Sequence, residues 1–351
     1  MNTSQTLILT LISLLTISGV FLAVEDKQNL QSSSILENNY EELFDLYNNW
    51  KMLYGKQNKQ HSEFRFNVFV ENYQKIMTHN AKKSSYKLGF NKFADLTDEE
   101  FTAQYLLSSQ YNEKVAQQSQ GLVGDQKNPK KQFSGNVDFR KKGVVNPVQS
   151  QGSCGSCYTF AAAQALESAY ALQTDKGLLK FSEQQLTSCS QAYGNNGCGG
   201  GFGNSTFSYV IDHGITLLSK YPYVSGKNGE VAACKVENGE YYISSYTQIV
   251  GAGHCLNIQE AAQNQPLYAR VIASDWKLYD SGIFDGCVSE NPDEINHGVG
   301  IVGFNTESDD SDKQYWIIRN SWGEDWGEKG YMRLQFGNSC AICNDSYFPT
   351  V

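Results

Sequence analysis

Gln151-Gly-Ser-Cys-Gly-Ser-Cys157-Tyr158 opens the part of the chain that decides the fold. Two glycines and two serines make a tight loop, and from Cys157 to about Thr174 the residues Phe160, Ala163, Leu166 and Ala169 recur so that a helix is buried on most of its sides. The loop therefore delivers Cys157 to the start of a long buried helix. Free N–H groups and the positive end of the helix dipole favour a thiolate there. A thiolate is the form that attacks a carbonyl, so the position itself activates the residue. The competing role in this stretch is a structural half-cystine, which suits Cys154 better and leaves Cys157 as the odd thiol.

Working outward from Cys157, a nucleophile needs a base. His213, His254 and His297 are the histidines beyond the linker. His213 and His254 read as structural. His297 lies in Ile295-Asn-His-Gly-Val-Gly-Ile-Val-Gly303, where small residues open room before an apolar strand. Asn320, in Trp316-Ile-Ile-Arg-Asn-Ser-Trp-Gly323, can accept from the imidazole, and Trp322 can shield that bond from water. Beyond Leu267 the chain becomes strand-like, with Tyr268–Ile272, Gly298–Gly303 and Tyr315–Arg319 as short runs. A helical first half and a sheet second half predict an α+β unit of two unlike lobes, with the groove between them as the default site.

The nine cysteines all fall at or beyond Cys154, which fits an oxidising compartment if most are paired. Zinc is the competing explanation, because Cys154/Cys157 and Cys340/Cys343 share a two-residue gap. The glycine-rich setting of Cys154 and an apolar leader favour disulfides, and no metal is expected.

That leader is the run Leu7 to Ala23, short for a membrane span and ended by the acidic stretch from Glu25. It predicts a signal peptide over 1–23, although the segment before it has no Lys or Arg. No later segment is apolar enough to span a bilayer. From Asn38 to about Asn80 the pattern is helical; Tyr86 to Asp95 alternates like a short strand; Leu96 to Phe101 starts a helix with Thr97 as its cap. Ser108 to Ser134 is polar with almost nothing to bury, an exposed linker of the kind proteases nick. Residues 1–133 carry 14 basic and 14 acidic side chains, whereas 134–351 carry 14 and 23. The whole net charge of -9 thus sits in the second part, which argues against nucleic acid as a partner.

Taken together, these motifs resemble the papain family of cysteine peptidases, in its cathepsin L-like branch, over nearly all of the chain after the leader. Its nucleophile signature has His and Asn about 130–150 residues downstream. Here His297 lies 140 residues after Cys157, and Asn320 lies 163 after, the excess matching an acidic insertion around Glu307 to Asp312. The resemblance implies a papain-like fold, a helical lobe plus a β-barrel-like lobe with the active-site cleft between them. It implies Cys157, His297, Asn320 and Gln151 as catalytic residues, with Gln151 as side-chain donor of the oxyanion hole. Gly200, Gly201, Phe202, Trp322, Arg270 and Asp345 would contact substrate. Phe202, Arg270, Gly298 and Asp345 fall on the second specificity pocket, where Arg270 and Asp345 would pair, or Asp345 would accept a basic substrate residue, or Arg270 would reach solvent. Trp326 matches a second cleft tryptophan, and Tyr158 stands where the family usually has Trp.

The resemblance extends to the front of the chain. Arg65, Phe69, Asn72, Ile76 and Asn80 match the interspersed helical motif of cathepsin L-like propeptides, with His61 replacing its first Glu; Gly89, Asn91, Phe93 and Asp95 match the second motif. The implied organisation is a signal peptide (1–23), an inhibitory propeptide (24–133, helical over about 38–105) and a mature peptidase (134–351), with maturation around Gln132 to Gly135. The implied disulfides are Cys154–Cys198, Cys189–Cys234 and Cys287–Cys340. Cys255 and Cys343 remain outside that set and are expected to pair with each other. The implied activity is thiol-dependent endopeptidase action through an acyl-enzyme, released by acid-triggered propeptide removal and needing no cofactor. The alternative is an inactive papain-like binding or storage protein. An exopeptidase would need a blocking element, and the loop Ser190 to Gly197 is short and lacks His. Expected partners are protein and peptide substrates and the chain's own propeptide, with no stable membrane association and a monomeric state. The expected location is the secretory pathway, then lysosome, food vacuole or the outside. Asn204-Ser-Thr206 and Asn344-Asp-Ser346 are glycosylation sequons.

Overall fold

The computed structural model describes residues 28–57, 62–107, 133–250 and 255–351. The expected signal peptide and most of the linker lie outside these residues, as do His61, His254 and Gln132. The chain forms two compact units, Met1–Gln60 and His61–Val351. In the first, helix α1 (Gln28–Leu53) starts earlier than the expected Asn38. Gly55, in the left-handed region at φ 64°, follows its end. The helical pattern read through to Asn80 is therefore two helices.

The second unit begins with α2 (Glu63–Asn80), capped by the Ser62 hydroxyl, which accepts from the Arg65 N–H. Strand β1 (Tyr86–Leu88) follows, then α3 (Asp98–Tyr105), where Thr97 and Glu100 form a reciprocal capping box. The alternation toward Asp95 predicts a longer strand than β1. The chain turns instead because the Asn91 side chain accepts from the Phe93 N–H at 2.9 Å and donates to the Lys277 carbonyl at 2.8 Å.

Two lobes follow. The helical one comprises α4 (Cys157–Gln173), α5 (Glu183–Cys189) and α6 (Gly203–His213) around Tyr158, Leu166, Phe181, Leu186, Phe207 and Val210. The other is a sheet made from β2 (Asn136–Asp138), β3 (Ser245–Val250), β4 (Leu267–Val271), β5 (Tyr279–Phe284), β6 (His297–Asn305), β7 (Tyr315–Arg319), β8 (Tyr331–Gln335) and β9 (Asp345–Thr350), with α7 (Cys255–Ala262) packed against it. The strand order is β1-β5-β8-β7-β6-β4-β9-β3, with β2 also on β6. Only β5–β8 is parallel among these pairings. The ladder does not close, because β1 and β3 end it unpaired with each other. The barrel-like lobe is thus an open sheet among the described residues. The acidic stretch Glu307 to Asp312 is an exposed loop joining β6 to β7.

Glycines on β6 let the lobes approach. A Cβ on Gly298 would lie 3.3 Å from the backbone N and Cα of Tyr158, and one on Gly300 would run into Gln164 Oε1. Helix α4 therefore lies against β6 near the starts of both elements. Its first residue, Cys157, and the first residue of β6, His297, become neighbours.

Candidate active site

The loop before α4 is fastened on both sides. The Gln151 N–H donates to the Ser321 carbonyl at 2.9 Å, the Ser153 N–H to Gly226 at 3.0 Å and the Gly155 N–H to Cys198 at 2.9 Å. Cys154 is bonded to Cys198. Ser156 caps α4 without a side-chain bond to it, because its hydroxyl is engaged by the Tyr223 hydroxyl at 2.7 Å. The Thr159 N–H donates to the Ser156 carbonyl at 2.8 Å, while the N–H groups of Cys157 and Tyr158 favour charge on the residue at the helix tip, Cys157, fully buried and the free cysteine of the nine.

His297 is also fully buried. Its Nε2 lies 2.8 Å from Asn320 Oδ1, and that oxygen also accepts the Ser321 N–H at 2.8 Å. An oxygen can only accept, so Nε2 carries the proton and Nδ1 keeps its lone pair. Nδ1 has no hydrogen-bond partner among the described residues. The Trp322 ring covers the imidazole with centroids 4.8 Å apart. Burial pushes the Cys157 thiol up to about 11, although backbone N–H groups of Gly298 and Tyr158 pull the other way. Burial likewise pushes His297 down to about 4 against the Asn320 bond. Burial thus disfavours the charged form of both thiol and imidazole in this form of the chain.

Gln151 is fully buried, and its Oε1 accepts the Ser321 hydroxyl at 2.7 Å. Its Nε2 donates to the Cys154 carbonyl at 3.1 Å and to the Tyr105 carbonyl at 3.3 Å. Tyr105 ends α3, so an upstream peptide carbonyl occupies this donor. Two residues on, the Leu107 N–H donates to the Asn296 carbonyl at 2.7 Å, beside His297. Phe93 and Phe101 meet the Trp322 ring edge-on at 5.7 and 5.1 Å. The front segment thus covers Trp322, occupies the Gln151 donor and binds the backbone next to His297.

That segment is held by the residues of the first motif. Arg65 pairs with Glu100, and Asn72 donates to the carbonyls of Ala94 and Leu96 at 2.9 and 3.0 Å. Asn80 clamps Leu88 through both its amide atoms. Lys277 of the sheet lobe donates to Asn72 Oδ1 at 3.1 Å, the Leu96 carbonyl at 2.9 Å and Asp98 at 2.5 Å. Burial pushes Asp98 up, yet hydrogen bonds from Lys277 and Lys75 hold its carboxyl below the ordinary value.

The second-pocket residues come together. Arg270 is buried and its Nη1 lies 3.3 Å from Asp345 Oδ2, while the Phe202 ring stands 5.4 Å from the guanidinium. Gln248 donates to the other Asp345 oxygen at 3.0 Å. Arg270 therefore does not reach solvent. Gly200 sits at φ 114°, where a side chain is disfavoured. A Cβ on Gly201 would strike Tyr158 and Asn195, so enzyme side chains, not only a bound strand, demand glycine there. Trp326 is fully buried against Trp322. His213 stacks on Tyr209 and contacts Asn238 near the surface.

The structure joins Cys154–Cys198, Cys189–Cys234, Cys287–Cys340 and Cys255–Cys343. Three members of the two zinc-like pairs are thereby consumed, and no metal-holding cluster occurs among the described residues. Sequence reasoning passed over Ser321, Tyr223 and Lys277. Ser321 adjoins Asn320, and that adjacency was the available signal; the other two carry none.

A buried thiol at a helix tip, an imidazole oriented by an amide and a covering front segment define a cysteine peptidase in its inhibited proform. Residues 133–350 match the model of the papain family cysteine proteases, and residues 47–101 match the cathepsin propeptide inhibitor domain. The chain belongs to the papain family and is a thiol endopeptidase made as an autoinhibited zymogen. It is 38% identical to Cysteine proteinase 3 of Solanum lycopersicum, over 82% of this chain and 78% of that protein. It is 35% identical to Cathepsin L 2 of Paramecium tetraurelia, over 91% and 98%. Among solved structures, digestive procathepsin L 3 of Tenebrio molitor larval midgut superposes with a TM-score of 0.73 at 31% identity, covering 88% of this chain and 99% of that one.

Proposed function

We propose that Cys157, His297, Asn320 and Gln151 carry this hydrolysis. The observation that carries the assignment is the contact of Gly298 with the Tyr158 backbone, which makes His297 and Cys157 neighbours. His297 Nδ1 takes the thiol proton as the sulfur attacks the scissile carbonyl. The developing oxyanion receives hydrogen bonds from Gln151 Nε2 and the Cys157 N–H. The imidazolium then protonates the leaving amine, and water, activated by the same imidazole, hydrolyses the thioester. Asn320 holds the tautomer and Trp322 keeps water from that bond. Replacing Gln151 by Ala is expected to lower kcat about a hundredfold to a thousandfold, read with a fluorogenic peptide on the mature enzyme.

For the second pocket we expect no preference for Lys or Arg, because Asp345 is already engaged by Arg270 and Gln248. Arg270→Met releases Asp345, and acceptance of basic residues at that position is expected to rise about tenfold. A peptide library profiled with both enzymes tests this, and an unchanged profile would sink it.

Acid removal of the propeptide, passage through the secretory pathway to a lysosome-like compartment or the outside, and a monomeric state complete the proposal. The four disulfides support an oxidising route. No helix among the described residues is long and apolar enough to cross a membrane. Of the sequons at Asn204 and Asn344, Asn344 is buried and donates to Asn338 and Ala341, which makes Asn204 the better acceptor for a glycan of that pair. The overall test is an acid-treated wild type beside a Cys157→Ala control with a thiol reductant, with sizing chromatography reading the mass. Absence of cleavage by a folded wild type freed of its propeptide would favour the binding-protein alternative.

A further inference from the structure

Phe133 lies at the end of the polar linker, yet its backbone is gripped. Its N–H donates to Gln259 Oε1 at 3.1 Å, and its carbonyl accepts from Gln259 Nε2 and from the Thr306 hydroxyl at 2.8 Å. Gln259, on α7, is buried, so one fixed amide engages donor and acceptor of a single residue as a neighbouring strand would. Gln259 Nε2 also donates to Thr306 Oγ1 at 3.1 Å, tying the two receptors together. The zipper then continues: Gly135 N–H donates to Thr306 Oγ1, Thr306 N–H donates to the Gly135 carbonyl at 2.9 Å, and Asn136–Asp138 pairs with β6. The Phe133 ring folds over Gly135, where a Cβ would collide with it, and meets Phe304 edge-on at 6.3 Å.

We propose that Gln259 is a receptor that sets the mature N-terminus, so that Phe133 is the first residue processing cannot remove. A peptidase needs its substrate extended and free to enter a cleft, and the residues from Phe133 onward are already paired. Hydrolysis on the N-terminal side adds water across a peptide bond, leaving a carboxylate on the departing piece and an amine on the retained one. Once trimming reaches Phe133, its new ammonium takes over the donation to Gln259 Oε1. This places the boundary one residue before the expected start at Ser134. It rests on the reading that the propeptide is removed by proteolysis.

The test is N-terminal sequencing of the full zymogen after acid conversion and, in parallel, after limited digestion with an added broad-specificity protease. The second arm reads the clamp even if the chain does not process itself. Retention of Phe133 in every product is expected from both. A product beginning at Ser134 or later overturns the proposal. In Gln259→Ala the start is expected to move inward to Ser134 or Gly135. Gln259→Glu keeps the acceptor for the ammonium and is expected to retain Phe133. If Gln259→Ala is folded and keeps the wild-type start, the receptor role is overturned; should it fail to fold, Thr306→Val supplies the same comparison.

Discussion

Cys157→Ala is expected to slow peptide hydrolysis by the mature enzyme at least about a thousandfold, while the zymogen keeps its fold. The fold is expected to survive because loop and helix are held by bonds that do not involve the thiol: the Cys154–Cys198 disulfide and the backbone donations of Gln151, Ser153 and Gly155. The wild-type thiol should also change reactivity on activation. Burial pushes the Cys157 thiol up to about 11 in the proform and so disfavours the reactive thiolate at pH 7. Departure of the front segment is expected to let water reach the cleft and to lessen the burial that raises the thiol. Alkylation by iodoacetamide at pH 7 is therefore expected to accelerate at least about a hundredfold on conversion. Equal alkylation rates before and after would show that the front segment does not suppress the nucleophile, and full activity in Cys157→Ala would remove it from the mechanism.

The second large effect concerns the grip on the propeptide. Asp98→Asn is expected to speed conversion about two- to fivefold at pH 5, the equivalent of about 0.5–1 kcal/mol for an exposed carboxylate screened by solvent. The change leaves Lys277 buried with the neutral acceptors Asn72 and Leu96 and the charge of Glu99 nearby. For pH, the Asp98 carboxyl is held below its ordinary value in the complex. Its contribution is accordingly complete above the ordinary carboxylate range and is lost as pH falls through the depressed value. Glu100, held down first by its hydrogen bond from Arg65, behaves the same way. The wild-type zymogen is thus expected to resist conversion near pH 5 and to convert steeply below about pH 4. Asp98→Asn should flatten that step. Conversion rates across pH 3–6 check it, and a mutant curve parallel to the wild type would assign the acid response to other groups.

The site was more legible in the sequence than the sheet was. Cys157 and His297 both sit in glycine-rich stretches that close packing requires: Gly152 and Gly155 let the loop lie on Gly226 and Cys198, and Gly298 and Gly300 bring β6 against α4. Asn320 and Trp322 stand together because one β7 extension both orients and covers the imidazole. The extent of β1 could not be read, because alternation continues past Leu88 while the Asn91 side chain turns the backbone toward Lys277. Lys277 itself, an isolated lysine, carries no local signal; its role arises from three acceptors drawn from α2, the turn before α3 and α3. The open ladder was hidden too, since strand periodicity records which face is buried and not whether the last strand meets the first.

Strand β1 belongs to the piece that leaves. While attached, it pairs with β5, Tyr86 opposite Gly282 and Lys87 opposite Ser281, and the Ile283 N–H donates to Ser85. Maturation therefore strips a neighbour from the sheet and leaves β5 as a raw margin with unsatisfied backbone groups. Such margins invite a strand from another molecule. Asp280, on that margin, carries a charge of the kind that discourages edge-to-edge growth. The chain that restrains the enzyme also covers, until it is cut away, one margin of its sheet.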